Sequence, residues 1–367
     1  MIMRVALVHE FLTQLGGAER VLQSFHEMFP DAPVYTLVYD REKTGGIFNS
    51  WDIRTSFLQK FPGGARKFKW YLPLMPLAIR SFDLSCYDLV LSDSSAFAKG
   101  VVTDSPTLHI CYCHTPTRYL WESMDEYVSG IKYPWLMKIF AKVYLKHVLK
   151  NWDFRAAQRP DALIANSRTV QERIKKYYGR KSDVIYPPVD TQWFGPGEGG
   201  ARGREYYFTA SRLEPYKRID IVVEAFNRLG LALKVAGDGT DAAALKKSAG
   251  INIEFLGRVS DVELRALYRS AKAFVFPALE DAGIAVLEAL ACGTPVIGFA
   301  QGGTPEFVRD GKNGVLFAEQ TAADIMAAVK RFEQMAFDPV RLRESILEFG
   351  KAKFKENIFT FIHAHRH

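Results

Sequence analysis

The sequence predicts an α/β protein built from two parallel, doubly wound sheets in tandem. Three observations carry this reading. Short apolar runs of strand type alternate with amphipathic helical stretches. The alternation breaks once, at Tyr186-Pro187-Pro188-Val189-Asp190, and segment 195–203 just beyond is the most glycine-rich in the chain. The same alternation then restarts. With 367 residues, the chain can bury a sizeable core in each half without disulfides.

The first half opens with an apolar strand over residues 3–9. A turn at Leu15-Gly16-Gly17 leads into a helix from Ala18 to Phe29. Strands follow at Val34–Val38, Leu89–Ser92, Leu108–Cys111 and Ala162–Ala165, with helices over 134–157 and 167–178. In the second half, strands are expected at 206–210, 233–236, 253–256, 273–276 and 295–298. Helices are expected at 219–229, near 241–248, at 261–270 and 283–291, and starting near Thr321 and Pro339. Each half reads as a Rossmann-like domain. Ligands of such sheets bind beyond the carboxyl ends of the strands, and two facing sheets would make a cleft.

Composition removes several classes. No apolar run approaches the roughly 18 residues of a membrane span. The start, Met1 to Glu10, turns acidic too soon for a signal peptide and reads as a buried strand. The four cysteines, Cys86, Cys111, Cys113 and Cys292, form no C-x-x-C. Cys111, Cys113 and His114 lack a second ligand cluster, so reduced thiols in a cytoplasmic protein are expected and no metal site. No G-x-G-x-x-G follows either first strand, and the P-loop pattern is absent.

Lys and Arg exceed Asp and Glu by 48 to 41, a net charge of +7. The surplus is clustered. Arg54, Lys60, Arg66, Lys67, Lys69 and Arg80 punctuate 54–80 without an acid, among Phe57, Phe61, Phe68, Trp70, Tyr71 and Leu72. Between Lys132 and Lys150 there are five lysines and no acid. Lys138, Lys142, Lys146 and Lys150 share one helical face, with Ile139, Phe140, Val143 and Tyr144 adjoining. A membrane surface with anionic lipids, or a lipid-diphosphate acceptor, is the partner class this pattern suggests. The competing reading is a solvated lysine face on a helix packed into its own domain. Nucleic acid is not expected, because no recognised binding motif accompanies the charge.

The second half holds three linked features. Ser211-Arg212-Leu213-Glu214-Pro215-Tyr216-Lys217 follows a strand and supplies a guanidinium fork and an ammonium, the pair a diphosphate needs. After the strand ending at Phe276 comes Glu280-Asp281-Ala282-Gly283-Ile284, which opens a helix containing Glu288. Gly283 and Ile284 would turn amides toward an anion, and Glu288 suits a pair of ribose hydroxyls. Gly237-Asp238-Gly239 and Gly257-Arg258-Val259 lie at two further strand ends, where a nucleotide base could sit. In the first half, Gly16-Gly17 allows close backbone approach at a helix start.

The run Glu280-Asp281-x-Gly283-Ile284-x-x-x-Glu288-Ala289-x-x-x-Gly293-x-Pro295-Val296-Ile297, with upstream Ser211-Arg212-Leu213-x-x-x-Lys217, resembles family four of the retaining glycosyltransferases. Gly16-Gly17-Ala18-Glu19 matches that family's N-terminal glycine loop. Cys113-His114-Thr115-Pro116 with Arg118-Tyr119-Leu120-Trp121 looks like its bacterial mannosyltransferase-type branch, used in polysaccharide assembly. The resemblance implies a GT-B fold. Residues 1–186 would form an acceptor domain, with 349–367 crossing back onto it, and 187–348 a nucleotide-sugar domain. It implies that Arg212 and Lys217 hold the diphosphate and Glu288 the ribose. Glu280, with Asp281, Ala282, Gly283 and Ile284, would contact the donor sugar. His114 would lie near the reacting sugar, Gly16 and Gly17 near the diphosphate, and Arg258 and Val259 beside the base. The position after Glu280-Asp281 is usually aromatic in this family and is Ala282 here.

The activity implied is transfer, with retention, of a hexose to a lipid-linked or growing glycan, such as a polyprenyl-diphosphate-linked one. The donor implied is GDP-mannose, no separate cofactor is needed, and the site of action is the cytoplasm or the inner face of the cell membrane. No D-x-D occurs, so the divalent-metal clamp of other sugar transferases has no evident ligand. Two alternatives stand beside this reading: a UDP-sugar transferase of the same fold, and a non-catalytic scaffold that binds nucleotide or glycan.

Overall fold

The computed structural model describes residues 3–130, 134–197 and 204–366. The chain divides into two compact units. One comprises Met1–Tyr186 with Lys355–His367, the other Pro187–Phe354.

The first unit is a seven-stranded sheet of β1 (Val5–Leu12), β2 (Val34–Tyr39), β3 (Ile53–Thr55), β4 (Leu89–Ser94), β5 (Leu108–Cys113), β6 (Ala162–Ala165) and β7 (Asp183–Val184). The order is β3-β2-β1-β4-β5-β6-β7, and every pairing is parallel. β2 and β4 are buried at every residue, as expected of strands covered by helices on both faces. The short edge strands β3 and β7 went unread in the sequence, because two or three residues carry no period.

The second unit has β8 (Tyr206–Ala210), β9 (Leu233–Ala236), β10 (Ile253–Gly257), β11 (Ala271–Phe276), β12 (Val296–Phe299) and β13 (Gly314–Phe317), in the parallel order β10-β9-β8-β11-β12-β13. Its core joins Tyr207, Val222, Phe226, Val235, Val275 and Ile325. Strand β13 also escaped the sequence reading.

Helix ends follow local chemistry. Ser167 caps Arg168–Tyr178 by accepting from the Val170 amide, and Gly179 closes it in the left-handed region. Ser260 and Glu263 form a reciprocal capping box on Asp261–Ser270. The final helix, Lys351–His365, passes from one unit to the other within its length. The return to the first unit comes at Lys355 rather than Phe349, because Gly350 and Lys351 still bond to the second unit's Val189 and Asp190. Beyond that point Lys355 pairs with Glu27 at 2.8 Å, and Phe359 meets Phe29 edge-on.

The helix expected over 134–157 is one helical run in three parts: Trp135–Val143, a wider π segment Tyr144–Leu149, and Lys150–Ala156. Lys132 lies outside the described residues. Among the described residues, no helix is long and apolar enough to cross a membrane.

Candidate active site

In both units part of the candidate set lies where the strand order reverses, the place at which such sheets bind ligands, whereas Arg258 and Val259 follow the edge strand β10 and His114 follows β5. In the second unit the reversal lies between β8 and β11. The loop after β8 carries Arg212 and Lys217, and the loop after β11 carries Glu280. The Lys217 ammonium pairs directly with the Glu280 carboxylate, joining the two loops across the reversal. Tyr216 stands between the cations. Its hydroxyl accepts from Arg212 Nη2 at 2.6 Å, and its ring centroid lies 5.2 Å from Lys217 Nζ. Arg212 is otherwise exposed.

Glycines let the neighbouring loops close on these segments. A Cβ on Gly237 would fall 1.8 Å from the Ser211 carbonyl oxygen, so the loop after β9 lies directly against the backbone preceding Arg212. The Leu213 amide donates to the Asp238 carbonyl at 3.0 Å, and the Gly237 amide to that of Gly257 at 2.7 Å. Arg258 is exposed, 3.8 Å from Asp238, and Val259 is half-buried.

Gly283 has φ +77° and precedes the helix Ile284–Ala291. Asp281 and Ile284 are half-buried, and Ala282 is buried. Glu288 lies on the buried side of that helix, where the Tyr268 hydroxyl donates to it at 3.3 Å. One supporting element was missed in the sequence. Gly302-Gly303, after β12, rests on the Glu280–Ala282 backbone, and the Gly303 amide donates to the Glu280 carbonyl at 2.8 Å. The Gly-Gly-Thr-Pro run after an apolar strand was its available signal.

In the first unit the reversal lies between β1 and β4. Gly16 precedes the helix Gly17–Met28. His114 directly follows β5, and its Nε2 bonds to Asp93 of β4. Asp93 is the register partner of His9 in β1, whose Nδ1 lies 2.8 Å from Asp93 Oδ2. One carboxylate therefore orients two imidazoles. Glu19, the first-turn acid of the helix, is buried 3.8 Å from His9 Nε2, and its Oε2 has no hydrogen-bond partner among the described residues.

Burial alone would lower the pKa of His9. The hydrogen bond with Asp93 and the nearby Asp93 and Glu19 carboxylates outweigh it and raise the group to about 10. His114 is raised in the same way, against burial, by the Asp93 charge. Burial disfavours ionised Asp93, yet its two histidine partners hold it below the usual carboxylate range. The sequence reading singled out His114 and passed over Asp93 and His9. The polar Ser92-Asp93-Ser94 at the end of an apolar strand was the signal.

Other polar groups in this unit do structural work. Glu10 accepts from the Ser94 hydroxyl at 2.9 Å and from the Ser95, Ala96 and Ala98 amides, which fixes the loop after β4. Cys111 and Cys113 are buried free thiols, and burial pushes Cys111 up to about 12. No cluster of metal-ligating side chains occurs among the described residues.

Each unit is a parallel, doubly wound sheet of the kind that makes up a GT-B fold, and comparisons with known proteins agree. Residues 15–193 match the model "Glycosyltransferase Family 4", and 197–352 match "Glycosyl transferases group 1". Together these matches support placing the chain in the GT-B glycosyltransferase family. The chain is 32% identical over 201 residues to a D-inositol 3-phosphate glycosyltransferase of Geodermatophilus obscurus, covering 46% of this chain and 45% of that protein. A protein of the same name from Streptomyces bingchenggensis is 28% identical over 215 residues, covering 50% and 47%. The chain thus spans just under half the length of the curated relatives it matches. HepE from Anabaena, solved with UDP and glucose, superposes with a TM-score of 0.72 at 19% identity over 98% of this chain and 99% of that one. Sucrose-phosphate synthase from Thermosynechococcus elongatus gives 0.74 at 16% identity, covering 98% of both chains.

Proposed function

We propose that the chain is a retaining glycosyltransferase that moves a hexose from a nucleotide diphosphate sugar to a lipid-linked or growing glycan. The observation that carries this is the Lys217–Glu280 pair with Arg212 alongside. It sets two cations and one carboxylate at the strand-order reversal of a GT-B domain. In the reaction, the bond between the anomeric carbon and the phosphate oxygen breaks, and the electron pair stays on the phosphate. Arg212 and Lys217 meet that charge by preorganised electrostatics. The acceptor oxygen bonds to the same face of the sugar and passes its proton to the departing phosphate. Glu280 supports the positive charge of the sugar without bonding to it, and the role proposed for His114, which Asp93 fixes, is toward the reacting sugar. Glu288 takes the ribose hydroxyls.

Mannose from GDP-mannose is the donor proposed, on the His114-Thr115-Pro116 and Arg118-Tyr119-Leu120-Trp121 motifs. A UDP-sugar donor is the second reading, favoured by the UDP bound in HepE. The test is thermal stabilisation by GDP, UDP and ADP, with the Arg212→Ala/Lys217→Ala variant as control. Stabilisation by GDP, lost in the variant, supports the mannosyltransferase reading. Selective stabilisation by UDP replaces the donor. No stabilisation by any of the three overturns the enzyme in favour of a scaffold.

A further inference from the structure

The helix Trp135–Val143 inverts the usual arrangement of a surface helix. Such a helix normally turns its apolar stripe to the core. Here no residue of the helix is buried. Trp135 (69% exposed), Leu136, Met137, Ile139, Phe140 (73%) and Val143 all stand in solvent. At about 100° per residue, Trp135, Ile139, Val143, Leu136 and Phe140 fall on one side. Ala141 and Leu145, the second of them buried in the π segment, fall on the other. The apolar side therefore points away from the protein. The reading of this segment as a helix packed into its own domain holds only from Leu145 onward, where Leu145, Leu149 and Ala156 are buried.

A second exposed apolar strip adjoins it. The Tyr144 hydroxyl donates to the Pro73 carbonyl at 3.4 Å, which brings the segment Phe68–Leu74 beside the helix. There Trp70, Leu74 and Leu77 are exposed, while Phe57, Phe61, Phe68, Tyr71 and Leu72 pack against the core of the unit. Isolated exposed apolar residues are ordinary. A continuous field of them marks an interaction surface.

The charges around the field choose the occupant. Lys142 and Lys146 in the helical run, and Lys67, Lys69 and Arg80 in the adjoining 67–80 stretch, are exposed. Lys138 donates to the Ser129 carbonyl at 2.8 Å, and Lys142 pairs with Asp125 at 2.5 Å, so the lysines have at least one acid beside them. Arg54 and Arg66 are paired as well, with Asp52 and Glu42. Lysine is depleted in protein–protein interfaces, and two copies of this surface would set like charges against each other. An anionic bilayer fits both halves of the pattern. Apolar side chains sink to the acyl boundary, tryptophans sit at the headgroups, and lysine stems reach back to lipid phosphates.

We propose that this surface, centred on Trp135, Ile139 and Phe140 and rimmed by lysines, docks the protein on an anionic lipid bilayer. The inference does not depend on the glycosyltransferase reading. The test is flotation of the full chain with vesicles of phosphatidylcholine alone and with 30% phosphatidylglycerol. Wild type is compared with Trp135→Ser/Phe140→Ser and with Lys142→Gln/Lys146→Gln, at low and at 0.5 M salt. The expected result is binding to the anionic vesicles, at least tenfold weaker on phosphatidylcholine, weakened by salt, and reduced tenfold or more in the apolar variant. The lysine variant should bind less and lose part of the salt dependence. All four substituted residues are exposed, so nucleotide-dependent stabilisation should be unchanged in both variants. Absence of binding to the anionic vesicles, or equal binding by the apolar variant, overturns the proposal. So does a wild-type dimer in solution that Trp135→Ser/Phe140→Ser turns to monomer, which would assign the surface to a second copy.

Discussion

His9 and Asp93 are register partners on adjacent central strands, and a 2.8 Å hydrogen bond joins their buried side chains. The other oxygen of Asp93 holds His114, so the geometry of a candidate site residue depends on a carboxylate that faces no solvent. Removing one member of such a buried group leaves the rest uncompensated, at about 3–5 kcal/mol. Asp93→Asn should cost that much at pH 7.

The same cluster sets a pH dependence. The folded pKa of His9 is about 10, above its ordinary 6.5, and that of His114 is raised too. Their contribution is fully present below about pH 6.5. It is lost as pH rises through the folded values, where the native state releases the protons it had bound in excess. Thermal unfolding midpoints of the wild type should therefore fall between pH 7 and 10.5. Asp93→Asn should flatten that slope. Parallel curves for the two proteins would show that Asp93 does not hold the histidines protonated.

Lys217 and Glu280 make a corresponding pair in the second unit. Both are partly solvated, so the pair adds little to stability, about 1 kcal/mol or less. Its proposed value lies in the transition state, where Lys217 exchanges its carboxylate for the departing phosphate. Lys217→Ala should keep its fold and lose about 100- to 1,000-fold in turnover. Turnover within a factor of three of wild type, in a protein with an unchanged unfolding curve, would remove Lys217 from the diphosphate site.

The second unit's candidate site was readable in the sequence, because its residues come in short runs directly after strands. Arg212 to Lys217 and Glu280 to Glu288 needed only a strand end to be placed. The Asp93 group needed three strands in register, information that the spacing of residues 9, 93 and 114 does not carry. The helix Trp135–Val143 was legible as amphipathic but not in the direction its apolar side would face. A period fixes which residues share a side, and only tertiary contacts say whether that side meets core or solvent.

Gly302 carries a prediction about the donor loop. Its φ is +72°, and a Cβ there would lie 2.4 Å from the Glu280 carbonyl oxygen. Backbone, not a flexible side chain, is what the new atom would meet. Gly302→Ala should lower stability by about 1–3 kcal/mol. It should also depress turnover more than nucleotide affinity, because it displaces Glu280 and its partner Lys217 while Arg212, which does not bond to Glu280, keeps its proposed hold on the diphosphate. Equal losses in both quantities would place the damage in general destabilisation.

Ala282 is the position at which the sequence departs from the aromatic residue usual in the resembling family, and it is buried at 5% exposure. The loop after β12 closes over this stretch, so closely that a Cβ on Gly303 would come within 2.8 Å of the Ala282 Cα. A ring introduced at 282 must therefore displace Gly302-Gly303 or move Glu280 itself. Overpacking of this kind costs about 1–3 kcal/mol. Ala282→Phe should unfold at lower temperature than the wild type and gain nothing in nucleotide binding, measured by titration calorimetry. If the variant instead kept its stability and bound nucleotide more tightly, the small residue would be a lost donor contact. The tight packing of Gly303 would then follow from that loss instead of accounting for the alanine.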